Sequence, residues 1–303
     1  MATDSGSRRL LLVAFVLAAV LAAPAARASG PSHPRSAYAG LGTWLDIYAT
    51  SFWTHPRAEV AAMARHGVRT LYLQTGNYEQ SADLVRPQKL GRFIDAAHAA
   101  GMRVVAWYLP SFLYPAQDTR RALAAIRFRS AKGEHFDSFA LDIEASLVRS
   151  VPLRSKRLLQ LSARLRAAVG HRYPLGAIIP SPVGIRRHPT YWPRFPYRSL
   201  ARSYNVFLPM AYATDRHIHG VTATRAYNVA DIAIIRERTG RPHVPIHEIG
   251  GIANAMGPRE TAGFMQAVAD CSVFGYSLYA FSVTRQATWK ALATPPAAGR
   301  SCS

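Results

Sequence analysis

FDSFALDIE, residues 136–144, is the stretch on which the fold turns. Side chains alternate along an extended strand, so Phe139, Leu141 and Ile143 share one face while Ala140, Asp142 and Glu144 share the other. The apolar face suits a layer of helices. The small and acidic face must then look into a space that tolerates charge. Seven further segments are short, apolar and rich in β-branched or aromatic residues: GTWLDIYA (42–49), VRTLYLQT (68–75), RVVAWYLP (103–110), YPLGAIIP (173–180), YNVFLPMAY (204–212), VPIHEIGG (244–251) and GYSLYAFS (275–282).

Helical patterns lie between them, with proline before and glycine after, the usual asymmetry of helix ends. Pro56 and Gly67 bracket one. Pro87 and Gly101 bracket another, whose apolar stripe is Leu90, Phe93, Ile94 and Ala97. Pro152 and Gly170 bracket a third, with Leu158, Leu161, Leu165 and Val169 at spacings of three and four. Thr222 to Gly240 and Pro258 to Ala269 read the same way. Strands alternating with helices imply parallel strands joined by crossovers. Eight such units match the size of a (β/α)8 barrel. An open doubly wound sheet is the alternative, but it usually carries a glycine-rich phosphate loop after its first strand, where this chain has Thr50-Ser51-Phe52-Trp53. The expectation is an α/β protein, a single-domain (β/α)8 TIM barrel over residues 40–293. It follows a flexible lead at 29–39 and precedes a C-terminal tail at 294–303.

The first residues read as a targeting segment. Ser7-Arg8-Arg9 precedes an apolar run from Leu10 to Ala23, and Ala26-Arg27-Ala28 offers a small-x-small cleavage site. The run is short for a spanning helix, which needs roughly 20 residues. A signal peptide over 1–28 is therefore expected rather than a membrane anchor, with no integral span after its removal. The formal net charge is +20. The leader's Arg8, Arg9 and Arg27 against Asp4 account for +2 of it, leaving +18. Such a field favours anionic polymers, or simply solubilises an arginine-rich surface. No basic run alternates with aromatics as a nucleic-acid platform would, so no specific nucleic acid is expected. Cys271 and Cys302 both lie in the exported part, where a disulfide persists, although spacing alone does not establish one.

Barrel enzymes place their chemistry at the C-terminal ends of the strands. The polar residues at those ends are Asp46 on strand 1, Gln74 and Asn77 on strand 2, Tyr108 on strand 3, and Asp142 and Glu144 on strand 4. Tyr212 follows strand 6 beside Met210, His247 and Glu248 lie late in strand 7, and Tyr279 and Ser282 late in strand 8. Two carboxyls held close at a mouth do not both ionise freely, so one stays protonated as a general acid near neutral pH. A structural ion pair with arginine is the competing reading of Asp142 and Glu144. His247 reads as a hydrogen-bonded strand histidine, and since it alternates with Glu248 only one of the two faces inward. Trp44, Trp53, Trp107 and Trp192 divide between core and sugar-stacking platforms.

At these positions the chain resembles barrel glycoside hydrolases, chitinase-like family 18 and more loosely family 25 lysozymes. Family 18 carries D-x-x-D-x-D-x-E on strand 4. Residues 137–144 read D-S-F-A-L-D-I-E, matching at Asp137, Asp142 and Glu144, with Ala140 replacing the middle acid. After strand 6 the family carries M-x-Y-D. Here Met210 and Tyr212 match and Ala213 stands in the acid's place. The family's strand-8 tryptophan has no counterpart in SLYAFS. Family 25 pairs an acid on strand 1 with D-x-E on strand 4, which Asp46, Asp142 and Glu144 imitate.

The resemblance implies glycosidic bond cleavage, with Glu144 protonating the leaving oxygen. Asp142 would orient or polarise a 2-acetamido group, and Tyr212 would hydrogen-bond it. Catalytic Glu144 and Asp142, with Asp46, Tyr108, Tyr212, Met210, Gln74 and Glu248 binding substrate, make up the expected site. A second scheme pairs Glu144 with Glu248 across strands 4 and 7. The expected function is a secreted or cell-wall-associated monomeric glycoside hydrolase, with a polysaccharide substrate, possible in amino-sugar form, and no metal or cofactor. Two alternatives stand beside it: a noncatalytic binder of carbohydrate or of an anionic cell-surface polymer on a degenerate barrel, and a metal-dependent hydrolase built on Asp46, His247 and the strand-4 pair.

Overall fold

The computed structural model of the protein describes residues 34–294, together with Met1, Ala2 and Cys302. The signal peptide expected over 1–28 apart from Met1 and Ala2, residues 29–33 of the expected lead, and residues 295–301 and 303 of the tail lie outside the described residues.

Eight parallel strands form a closed barrel in chain order: β1 Gly40–Leu45, β2 Thr70–Asn77, β3 Arg103–Leu109, β4 Ser138–Asp142, β5 Leu175–Pro180, β6 Val206–Met210, β7 His247–Ile252 and β8 Gly275–Tyr279. The helices around it are α1 Pro56–Arg65, α2 Pro87–Ala99, α3 Pro115–Arg127, α4 Val151–Val169, α5 Pro182–Arg187, α6 Tyr197–Ser203, α7 Val221–Thr239, α8 Pro258–Asp270 and α9 Gln286–Ala293. Proline occupies the first turn of α1, α2, α3, α4, α5 and α8, where its missing N–H costs no hydrogen bond. Gly240 closes α7 in the left-handed conformation.

Strand parity divides the core in two. Phe139, Leu141 and Ile143 pack outward against the helices with the stripe of Leu90, Phe93, Ile94 and Ala97. Trp44, Tyr72, Val105, Trp107, Ala140, Ile178, Leu208, Met210 and Ile249 fill the barrel. The TIM-barrel expectation holds, and its deciding stretch lies as the alternation requires.

The barrel's lower end corrects one expectation. Residues 34–38 of the expected flexible lead form a 3₁₀ turn, Pro34–Tyr38, which ends inside the barrel. Tyr38 is fully buried, with its hydroxyl 2.6 Å from Ser138 Oγ and 3.1 Å from the carbonyl of Phe139. A phenol seals the floor because Gly176 makes room for it: a Cβ at Gly176 would lie 2.7 Å from the Tyr38 hydroxyl. Gly176→Ala is accordingly expected to destabilise the fold by about 1–3 kcal/mol through overpacking, seen as a lower denaturant midpoint at unchanged slope. Above Tyr38, His247 Nδ1 donates to the Tyr38 carbonyl and lies beside the Tyr72 hydroxyl, and its Nε2 meets Ser277 Oγ, each at 2.9 Å. Burial pushes its pKa down to about 4, so it is a neutral structural imidazole.

Cys271, capping the end of α8, is disulfide-bonded to Cys302. No described helix is long and apolar enough to cross a membrane.

Candidate active site

The upper end of the barrel collects the polar strand ends. Asp46 continues the inward face of β1 beyond Trp44. Its Oδ1 accepts from the backbone N–H of Tyr48 and Ala49 at 2.8 and 2.9 Å, and its Oδ2 accepts from the Tyr279 hydroxyl at 2.8 Å. Both carboxylate oxygens are thus held by the molecule itself. Gln74 Oε1 accepts from Ile47 N at 3.0 Å and fastens the loop after β1 to β2.

Asp142 differs in kind. It is 5% exposed, accepts no hydrogen bond among the described residues, and its Oδ1 is fully buried without a partner. Burial, and then the neighbouring Glu144 charge, raise its pKa well above the ordinary carboxylate value. Glu144 lies two positions on, past the end of β4, where its side chain keeps contact with solvent and lines a cavity of about 510 Å³. Burial among the surrounding loops raises its pKa as well. Both carboxyls at this end of β4 thus have raised pKa values, and neither forms a salt bridge to an arginine among the described residues.

The walls are aromatic. Trp44 stacks on Tyr72 with ring centres 4.1 Å apart and meets the Trp107 edge at 5.9 Å. Tyr279 approaches Trp44 at 6.4 Å and Tyr212 at 6.5 Å. Tyr212 sits in the left-handed conformation just after β6, and its hydroxyl is driven to higher pKa by burial and by Asp142 and Glu144. Trp107 Nε1 is buried with no acceptor. The register pairs Trp107 with Ala140, whose methyl group leaves room for the indole in the same cluster. A third acid at position 140 would compete with that ring for space. Trp107 Nε1 and Asp142 Oδ1 are thus both buried and unpaired, and buried polar groups of this kind call for a partner from solvent or ligand.

Strand parity removes two residues from the expected site. Tyr108 points to the helix layer, where its hydroxyl donates to Asp118 Oδ1 at 2.8 Å; Trp107 takes the inward position. Glu248 also faces outward, because His247 faces in. It is fully buried beside Asp231 of α7, far from a role opposite Glu144. The scheme pairing Glu144 with Glu248 fails on this geometry, as does a metal centre that needs His247, which is committed to the barrel's lower layer. Asp46, Gln74, Asp142, Met210 and Tyr212 all lie on the inward face, and Glu144 stands at the mouth. All four tryptophans singled out are buried: Trp44 and Trp107 inside the barrel, Trp53 and Trp192 outside it against Phe93 and Phe195 respectively.

Several mouth residues were not singled out by strand-end reasoning. The large apolar side chains that stay exposed include Tyr48, Leu113, Tyr114, Leu147 and Val283, all on loops that follow strands. Tyr191, in the long β5 to β6 connection, donates its hydroxyl to the Glu144 carbonyl and so fixes the backbone that carries the acid. Loops offer no periodicity, so nothing in the local pattern marks these residues.

Similarity to known proteins lies in structure. No family model matches the sequence, and no curated protein matches it at the level of sequence. The spore cortex-lytic enzyme SleL of Bacillus cereus superposes with TM-score 0.62 at 8% identity, over 84% of this chain and 73% of that one. A chitinase from Chromobacterium violaceum gives TM-score 0.59 at 14% identity, over 84% and 98%. The endo-β-1,4-mannanase of Thermotoga petrophila gives 0.60 at 10%, over 80% and 68%. The chain has the TIM-barrel fold of glycoside hydrolases. At identities this low the likeness is one of fold, and chemistry has to be argued from the site.

Proposed function

We propose that the protein is an exported glycoside hydrolase that acts on a polysaccharide containing amino sugars. The observation that carries the reading is the end of β4: Asp142 buried with no hydrogen bond, Glu144 beside it and open to solvent, both disposed to hold a proton. Depth divides their labour. Glu144 reaches the open cavity and protonates the leaving oxygen. Asp142 presents its carboxyl to the 2-acetamido group, with the Tyr212 hydroxyl as a second contact. Tyr279, packed against the buried Trp44, supplies a ring for the sugar being cut, and the exposed Tyr48 and Tyr114 extend such contacts along the rim. The proposed setting is outside the cell or at its wall, following removal of residues 1–28, and the basic surface suits an anionic matrix.

Noncatalytic sugar binding is the second reading. Its support is specific: Ala140 and Ala213 stand where family 18 keeps acids, and Asp142 lacks any donor that would hold it ionised. Reducing-sugar release from a panel of bacterial and fungal polysaccharides separates the two. Retention of a polymer with no release from any of the panel would establish the binder and overturn the enzyme.

A further inference from the structure

We propose that the cavity beside Glu144 takes a carboxylate-bearing sugar on the leaving-group side of the bond, with Arg216 as the group that recognises it. This rests on the glycosidase reading of Glu144. The cavity, about 510 Å³, opens off the acid between the ends of β5 and β6 and is lined by Arg216, His188, Thr190, Tyr191 and Tyr212. Pro180, Ile185 and Met210 complete it with apolar surface suited to a sugar ring. Glu144 would touch the glycosidic oxygen, which joins both halves of the substrate; the sugar being cut is assigned to Asp142, which does not line this cavity, so the cavity is left for the departing sugar.

Glu144 is the sole carboxylate on this lining, and Arg216 is its arginine. Arg216 ends the turn Ala213–Arg216, and its guanidinium is laid flat over Gly184: a Cβ there would stand 2.8 Å from Nη2. Its Nη1 donates to the carbonyl of Tyr212 at 3.3 Å. Among the described residues it has no other hydrogen bond and no carboxylate within salt-bridge distance. Asp231 feels its charge but makes no hydrogen bond or salt bridge to it; its Oδ1 accepts from Ser181 Oγ at 3.0 Å and Val183 N at 2.6 Å. A half-buried guanidinium, positioned by a backbone contact and a glycine, thus keeps Nε and Nη2 free. That is the planar fork that a carboxylate fills with two parallel hydrogen bonds. The Thr190 hydroxyl and the His188 ring add donors at the rim.

A carboxylate on a sugar comes either from a uronic acid or from a lactyl ether on an amino sugar, and two substrate arms tell them apart. The first pairs a hexuronic-acid-containing oligosaccharide with its carboxyl-reduced counterpart. The second pairs a lactyl-ether amino-sugar oligosaccharide with its methyl ester. In at least one arm, wild type should favour the carboxylate form by about ten- to a hundred-fold in kcat/KM, the range for a charge-assisted hydrogen bond. Arg216→Gln should bring that ratio near one, mostly through KM, and Arg216→Lys should keep part of it. Calorimetric binding of the same pairs to Glu144→Gln reads the cavity without turnover. Hydrolysis of nothing, combined with tighter carboxylate binding that Arg216→Gln abolishes, would sink the enzyme reading and leave the cavity assignment standing. Equal binding of both members of each pair by a folded wild type overturns the inference, as does an Arg216→Gln variant that keeps the full preference.

Discussion

Glu144→Gln is expected to slow polysaccharide cleavage by about 10²–10⁴-fold, the usual contribution of a positioned proton donor. Glutamine preserves the shape of the protonated acid, but it has no acidic proton to give. Binding should change far less than turnover, so the loss belongs in kcat rather than KM. The pH profile carries an independent prediction. Burial raises the Glu144 pKa above its ordinary value of 4.5, so the acid form persists to higher pH than an unperturbed glutamic acid would allow. The rate should then fall as pH rises through that raised value. The same descending limb should survive in the slower Asp142→Asn enzyme, because burial of Glu144 and not the charge of Asp142 is its cause. Sugar release that is indifferent to Glu144→Gln would remove the acid from the mechanism.

Glu248→Gln should make the protein more stable at alkaline pH, the reverse of the usual outcome for a fully buried side chain. Both Glu248 carboxyl oxygens are buried without a partner, and Asp231 Oδ2 nearby is in the same state. Burial, followed by the Asp231 charge, raises the Glu248 pKa well above 4.5, while burial pushes Asp231 up to about 7. In the unfolded chain both ionise near their ordinary values. Between the unfolded and folded values the native state holds the extra proton, so stability is fully present below the unfolded pKa and declines as pH rises. Each such carboxyl contributes a slope of about 1.4 kcal/mol per pH unit until the folded group itself ionises. Glutamine supplies the same volume with nothing to titrate. Wild type and variant should therefore melt together near pH 4–5 and diverge at pH 8, with the variant higher by at least roughly 5 °C. Parallel pH dependences in the two proteins would show that Glu248 is not held protonated. The pair sits between β7 and α7, one strand position from the histidine that faces the barrel.

Glu248 and Tyr108 show where strand-end reasoning stops. Each lies at the proper height for a barrel site and has suitable chemistry, yet each is one residue out of phase. In β4 the phase is legible because Phe139, Leu141 and Ile143 leave one face without charge. In β3 and β7 both faces are buried, so Trp107 against Tyr108 and His247 against Glu248 are equivalent choices locally. Tyr72, Ser277 and the Tyr38 carbonyl decide for His247, and Asp118 decides for Tyr108. All but Asp118 are remote in sequence.

By itself, then, the sequence determined the barrel and the bearing of its acidic strand. Period-two alternation and proline-to-glycine punctuation act over a few residues, and β4 and the helix ends obey them. Tertiary structure alone decided that Tyr38 seals the floor, that Ala140 yields its space to Trp107, that Glu248 is confined with Asp231, and that Arg216 lies free over Gly184 beside the acid. Those outcomes depend on volumes and charges brought together by closure of the barrel, across separations that no local pattern encodes.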